Sequence, residues 1–177
     1  MPGFVNAHTH LDLTAIGPRP YDPDAGFDGW LDMVIRDRPS GEHDIASAVR
    51  EGAALRLAGG VVAVGDIAGA PNGKPPAAPA IALASTGLAG VSFVVLFGFS
   101  NAVQHHIAAA VAFRDAMPRS APIRIGLQPH APYSVSALAY GLTATGARDA
   151  GMPLATHVAE SLAERAFVER GEGPFVQ

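Results

Sequence analysis

Pro2-Gly3-Phe4-Val5-Asn6-Ala7-His8-Thr9-His10-Leu11 follows Met1 and sets the pattern for the whole chain. Gly3–His8 is a short, mostly apolar and β-prone run. It breaks off at a histidine pair spaced i, i+2. Similar runs recur at Gly60–Asp66, Val91–Phe99, Ile123–His130 and Pro153–His157. Most are continuous rather than alternating, the pattern of strands buried on both faces of a parallel sheet. Helical patterns fill the gaps. Asp44–Leu57 is amphipathic and stops at Gly59-Gly60. Asn101–Met117 is alanine-rich and stops before Pro118. Ser136–Ala150 starts with a Ser cap, and Ser161–Arg170 stops at Gly171. Shorter helical turns are expected at Phe27–Arg36 and Pro79–Ala84, and a loop at Gly69–Pro79. Five strands separated by helices make repeated βα units. A doubly wound open sheet and a (β/α)8 barrel both satisfy this pattern.

Composition narrows the class of protein. The 177 residues are 49% apolar and only 16% charged, with 34 alanines, so a core of small side chains is expected. One domain is expected at this length. The net charge is −4 and Lys74 is the sole lysine, which leaves no basic surface for a nucleic-acid backbone. The longest apolar run is far short of the ~20 residues of a membrane span, and no signal peptide is visible. Cysteine is absent, which excludes thiolate ligands and a cysteine nucleophile. A cytoplasmic location is the default expectation.

Chemistry concentrates at the predicted strand ends. His8 and His10 project from one face of a strand terminus, a chelating pair for zinc or another divalent metal. The plainer reading is two exposed loop histidines. His157 closes the fifth predicted strand, where it can be a third ligand or a satisfied core histidine. Glu160, three residues on, can shuttle a proton, or it is simply an acidic residue near a helix start. His130, in Gln128-Pro129-His130-Ala131-Pro132-Tyr133-Ser134, stands where a substrate or leaving-group contact would be, or is bonded to backbone in a structural turn. Trp30 can wall a pocket or fill the core. His43, His105 and His106 carry no such placement. In α/β barrels and open sheets alike, active sites form at the C-terminal strand edge, which is where His8, His10, His130 and His157 fall.

These residues resemble a known family. Pro2–Leu11 resembles the first-strand signature of the amidohydrolase superfamily, and Gly60–Asp66 its second strand. His130-Ala131-Pro132-Tyr133-Ser134 followed by His157-Val158-Ala159-Glu160 is similar to the branch of metal-dependent deaminases and chlorohydrolases. That branch holds S-adenosylhomocysteine, aminodeoxyfutalosine, guanine and triazine hydrolases. Phe27–Leu31 resembles the F-x-x-W-L stretch of aminodeoxyfutalosine deaminase-like members. The resemblance implies a (β/α)8 TIM-type barrel with one catalytic divalent metal, zinc first and iron as the alternative. It implies His8, His10 and His157 as ligands, Glu160 as the proton shuttle, and His130 as a group that contacts the substrate or polarises the reacting centre; Trp30, as a pocket wall, is expected to be a further substrate contact. The implied reaction is hydrolytic deamination of a purine- or nucleoside-like amine. Binuclear members bridge two metals with a carboxylated lysine on the fourth strand. Ile123–Pro129 contains none, so one metal is expected.

The resemblance also implies parts that are not in the sequence. A sixth-strand histidine and an eighth-strand aspartate have no counterpart after His157 and Asp149. Residues 1–177 therefore read as a single incomplete barrel domain of about five βα units, without the C-terminal barrel half and the β-sandwich domain of the family. A small-molecule substrate is expected, and self-association could cover open sheet edges. By itself such a stretch is expected to be inactive. Two alternatives stand beside deamination. One is a non-catalytic truncated βα domain held by another chain. The other is a different mononuclear chemistry, either chlorohydrolysis or cyclic-amide ring opening.

Overall fold

The computed structural model describes residues 2–20, 22, 24–70 and 76–176. Lys74 and the centre of the Gly69–Pro79 loop lie outside the described residues. Four strands form one parallel sheet in the order β1 (Phe4–Thr9), β2 (Val61–Ala68), β3 (Ala89–Leu96), β4 (Ile123–Pro129). A 3-10 turn at Leu11–Ile16 follows β1. The helices are α1 (Gly26–Asp37), α2 (Glu42–Ala58), α3 (Ala78–Ala84), α4 (Val103–Ala116), α5 (Ala137–Asp149) and α6 (Leu162–Arg170). Sequential order, parallel pairing and intervening helices make this a partial TIM-type barrel, with half the strands of a closed one.

Strand parity sorts the side chains into two layers. Val64, Val94, Leu96, Ile123, Ile125 and Leu127 join the main core with the buried faces of the helices. α2 contributes Ile45, Ala48, Val49, Gly52 and Ala53, the i, i+3, i+4 stripe of a core-facing helix. The other sheet face carries a smaller cluster of Ile67, Ala70, Phe93 and Val95. Phe93 lies across Gly126, where an added Cβ would come within 2.5 Å of its ring, so only glycine fits at that point of β4. Gly90 has φ +138°, and a Cβ there would collide with the Val64 carbonyl oxygen.

The fifth predicted strand, Pro153–His157, is not a regular strand. It runs parallel beside β4 and makes a single bridge, Leu127 to Leu154. Leu127 N donates to Pro153 O at 2.9 Å and Ala155 N to Leu127 O at 3.1 Å. The ladder then changes character: the Thr156 hydroxyl donates to Pro129 O at 2.8 Å, and His157 N donates to His130 O at 2.9 Å. Pro153 has no N–H to offer, and a side-chain hydroxyl takes the place of a backbone rung. The segment nevertheless delivers His157 to the same edge as the strand ends. α1 is also a full three-turn helix, longer than the short turn expected at Phe27–Arg36.

A buried acidic pair sits under β1. Asp66 accepts from Leu11 N at 2.9 Å, and Asp12 accepts from Arg38 at 2.7 Å. Burial pushes the Asp66 carboxyl up from 3.8 to about 7, with Asp12 adding to the rise. A folded-state value above the unfolded one favours folding at pH below the unfolded value, and that benefit is lost as pH rises toward about 7. Asp66→Asn is thus expected to be more favourable relative to wild type at about pH 8 than at about pH 4.5, by on the order of a few kcal/mol. Calorimetric melting of both proteins across that range checks it. A stability difference independent of pH would show that Asp66 ionises as an ordinary carboxyl.

Candidate metal centre

Three histidines meet at the C-terminal edge of the sheet. Candidate ligand nitrogens of His8, His10 and His157 all lie within 4.8 Å of one another. His8 and His10 reach the site because residues two apart on a strand share a face; their ring centroids are 5.1 Å apart. His157 arrives from 147 residues further on, with its Nε2 3.2 Å from His10 Nε2. The His8–His157 centroid distance is 4.9 Å. Burial holds the pKa of His10 at about 3, with His157 and His8 adding to the drop. Burial also lowers that of His157. Neutral imidazoles with unshared lone pairs are the form that binds a metal.

The donor set fits a divalent cation. Three nitrogens converge, and no carboxylate is among them. All-imidazole sites suit zinc, iron, nickel or cobalt. Gln128, fully buried on β4, contacts His157 Nδ1 through its amide at 2.9 Å. Its Oε1 has no hydrogen-bond partner among the described residues. With the amide turned so that Oε1 accepts the Nδ1 proton, Gln128 would orient the ring and leave His157 Nε2 free for a metal.

Around this cluster stand the residues expected to meet a substrate. His130 lies with its ring 5.0 Å from that of His157, and its Nδ1 is 2.7 Å from Ser134 Oγ. Burial lowers its pKa to about 3. Glu160 is exposed at the start of the turn into α6, and its Oε2 accepts from the Tyr133 hydroxyl at 2.8 Å. Burial, then that same bond, pushes the Tyr133 pKa up, so the phenol stays protonated and donates. Trp30 is not core: it is 47% exposed and stacks on Phe27 at 5.7 Å. Both line a cleft of about 1110 Å³ that also reaches Glu160. Tyr133 stacks on Phe175 at 4.3 Å, which extends the aromatic wall.

Three contributors have no role assigned by the sequence alone: Gln128, Tyr133 and Glu164. Gln128 lies two residues before His130 and therefore on the same strand face, a signal that periodicity carries. Tyr133 falls inside the quoted motif, but its bond to Glu160 spans 27 residues and has no local signature. Glu164 belongs to Ser161-x-x-Glu164, a capping-box pattern visible before the helix. His43, His105 and His106 lie outside the site, the first on α2 and the other two on α4.

Three histidines that could hold a metal ion thus stand at the strand ends of a parallel α/β sheet, part of a TIM-type barrel. The sequence matches the amidohydrolase family over residues 1–175, and the chain belongs to that family. It is 34% identical to aminodeoxyfutalosine deaminase of Deinococcus radiodurans, across 98% of this chain and 40% of that protein. Among solved structures it resembles aminofutalosine deaminase of Helicobacter pylori in complex with methylthio-coformycin. That similarity has a TM-score of 0.76 at 27% identity, covering 98% of this chain and 41% of the other. A zinc-bound adenosine deaminase from Xanthomonas campestris shares the fold, with a TM-score of 0.76 at 22% identity over 98% of this chain and 40% of its own. The chain thus spans about 40% of the length of these relatives. Among the described residues, no helix is long and apolar enough to cross a membrane.

Proposed function

We propose that these residues are the metal-binding part of a hydrolase that cleaves non-peptide C–N bonds, releasing ammonia from a purine- or nucleoside-like or other heterocyclic amine. The convergence of His8, His10 and His157, with Glu160 three residues after the last of them, carries this reading. The three imidazoles hold one divalent cation, zinc first and iron as the alternative. When bound, such an ion acidifies a water molecule, bringing its pKa toward ~7.

The chain's own residues supply the rest. Tyr133 donates to Glu160 Oε2, which fixes the carboxylate and leaves Oε1 free to move a proton. Glu160 takes one proton from the attacking water and passes it to the leaving nitrogen, and the second water proton ends on the adjacent ring nitrogen as the carbonyl forms, so that water plus the amine gives a carbonyl product plus ammonia. His130, directly after β4, contacts the substrate or polarises the reacting centre, with its side chain steadied by Ser134. Phe27 and Trp30 offer flat apolar surface to a planar ring. In this reading the 177 residues alone bind metal without turnover, since they span about 40% of the length of the relatives they match. The same residues would serve chlorohydrolysis or cyclic-amide opening, which a substrate panel separates from deamination.

A second reading, a non-catalytic βα domain stabilised by another chain, has one observation in its favour. β1 is an edge strand, and Phe4 and Val5 on it are 72% and 70% exposed. Zinc titration with an ammonia-release screen separates the two. The expected result is one zinc per chain and ammonia only from a polypeptide as long as the relatives. A folded protein that takes up no zinc would sink the hydrolase reading.

A further inference from the structure

We propose that Glu164 is a positioning residue that sets the carboxylate of Glu160 beside the histidine cluster. This rests on the hydrolase reading of that cluster. Glu164 lies in the first turn of α6, yet it is only 2% exposed. Both of its oxygens are used. Oε1 accepts from Ala159 N at 3.0 Å and Oε2 from Glu160 N at 2.6 Å. Its own N–H is capped by Ser161 Oγ at 3.0 Å.

This arrangement departs from an ordinary capping box. There, the acidic side chain returns to the N–H of the cap residue itself. Here it reaches past Ser161 and grips the two residues before it. Those two residues need holding. Ala159 has φ +62°, the sole non-glycine in the left-handed region among the described residues. A Cβ disfavours that conformation. Packing gives little help, since Val158 is 66% exposed and Ala159 is exposed as well. His157 upstream is anchored separately, through His130 O and Gln128. The span from ligand to proton carrier is therefore two exposed residues in a strained turn, closed by one buried carboxylate. Its grip on the Ala159 and Glu160 amides turns the chain so that Glu160 meets the Tyr133 hydroxyl.

Glu164→Gln tests this, because the amide keeps one acceptor and turns a donor toward the other N–H. Hydrogen exchange in the metal-free protein is the first readout. The Ala159 and Glu160 amides are expected to exchange at least ~10-fold faster, while those in the middle of α6 keep their protection. Zinc affinity should stay within about 3-fold, because His157 has its own anchors. In the polypeptide that shows turnover, kcat should fall about 10- to 100-fold with KM nearly unchanged. Ala159→Gly in the Glu164→Gln background should recover part of that loss, since glycine takes φ +62° without penalty. Unchanged exchange at 159 and 160 would overturn the proposal. So would equal loss of protection along α6, or a kcat loss that Ala159→Gly does not relieve, because either marks a helix cap and nothing more. A wild-type protein without zinc or turnover would instead refute the hydrolase reading, and the exchange result would still stand on its own.

Discussion

His157→Ala is expected to weaken zinc binding by about 100-fold or more. Removing a group that merely supports a ligand costs 10- to 100-fold, and loss of a ligand itself should exceed that. The argument turns on where His157 stands. His8 and His10 come as a pair from one strand and can chelate together. The third nitrogen comes only from the segment beside β4, which brings it to 3.2 Å from His10 Nε2. The backbone bond from His157 N to His130 O does not involve the ring, so the substituted segment should stay docked. Competition titration against a chelator, with a thermal melt as the folding control, gives the answer. Equal zinc affinity in wild type and variant would mean that the cluster is three neighbouring histidines and not a binding site.

Glu160→Gln is expected to lower kcat by about 10²- to 10⁴-fold in the polypeptide that shows turnover, the range of a lost general acid–base. Zinc affinity should be unchanged, because Glu160 is not among the converging nitrogens. The substitution is close to isosteric, and the amide oxygen can still accept from Tyr133. What it cannot do is take a proton from water and hand it on. Tyr133→Phe should give a smaller loss, since it frees the carboxylate without removing it. Steady-state kinetics on both variants, with metal content measured, orders the three proteins. A Glu160→Gln enzyme with near wild-type kcat would assign proton transfer to another group.

Much of the architecture was legible along the chain. The runs at Gly60, Val91 and Ile123 became β2 to β4, because buried parallel strands are written as continuous apolar stretches, and the run at Gly3 became β1, an exposed edge strand. Helix ends followed their local chemistry: Ser136 Oγ accepts from Ala139 N at 3.2 Å, and Gly171 closes α6 in the left-handed conformation. The run at Pro153 was less legible. Its apolar composition suits a strand, but a proline without an N–H and a threonine hydroxyl bonded to Pro129 O interrupt the ladder. Trp30 was ambiguous in sequence because one aromatic residue fits a core as well as a wall. Its partner Phe27 and the shared cleft decide for the wall.

Residue identity and short-range spacing carry the βα order, the ends of α2, α4, α5 and α6, the His8–His10 pair and the motif holding His157 and Glu160. Those are local properties, set by strand parity, capping and the burial of apolar runs. It takes the folded sheet to bring His157 to His10 across 147 residues, to back its ring with Gln128, to hold Glu160 with Tyr133 and to set Glu164 against the turn between them. Except for the Glu164 contacts, each is a meeting of side chains distant in sequence, and no periodicity along the chain records which strand ends the sheet will set side by side.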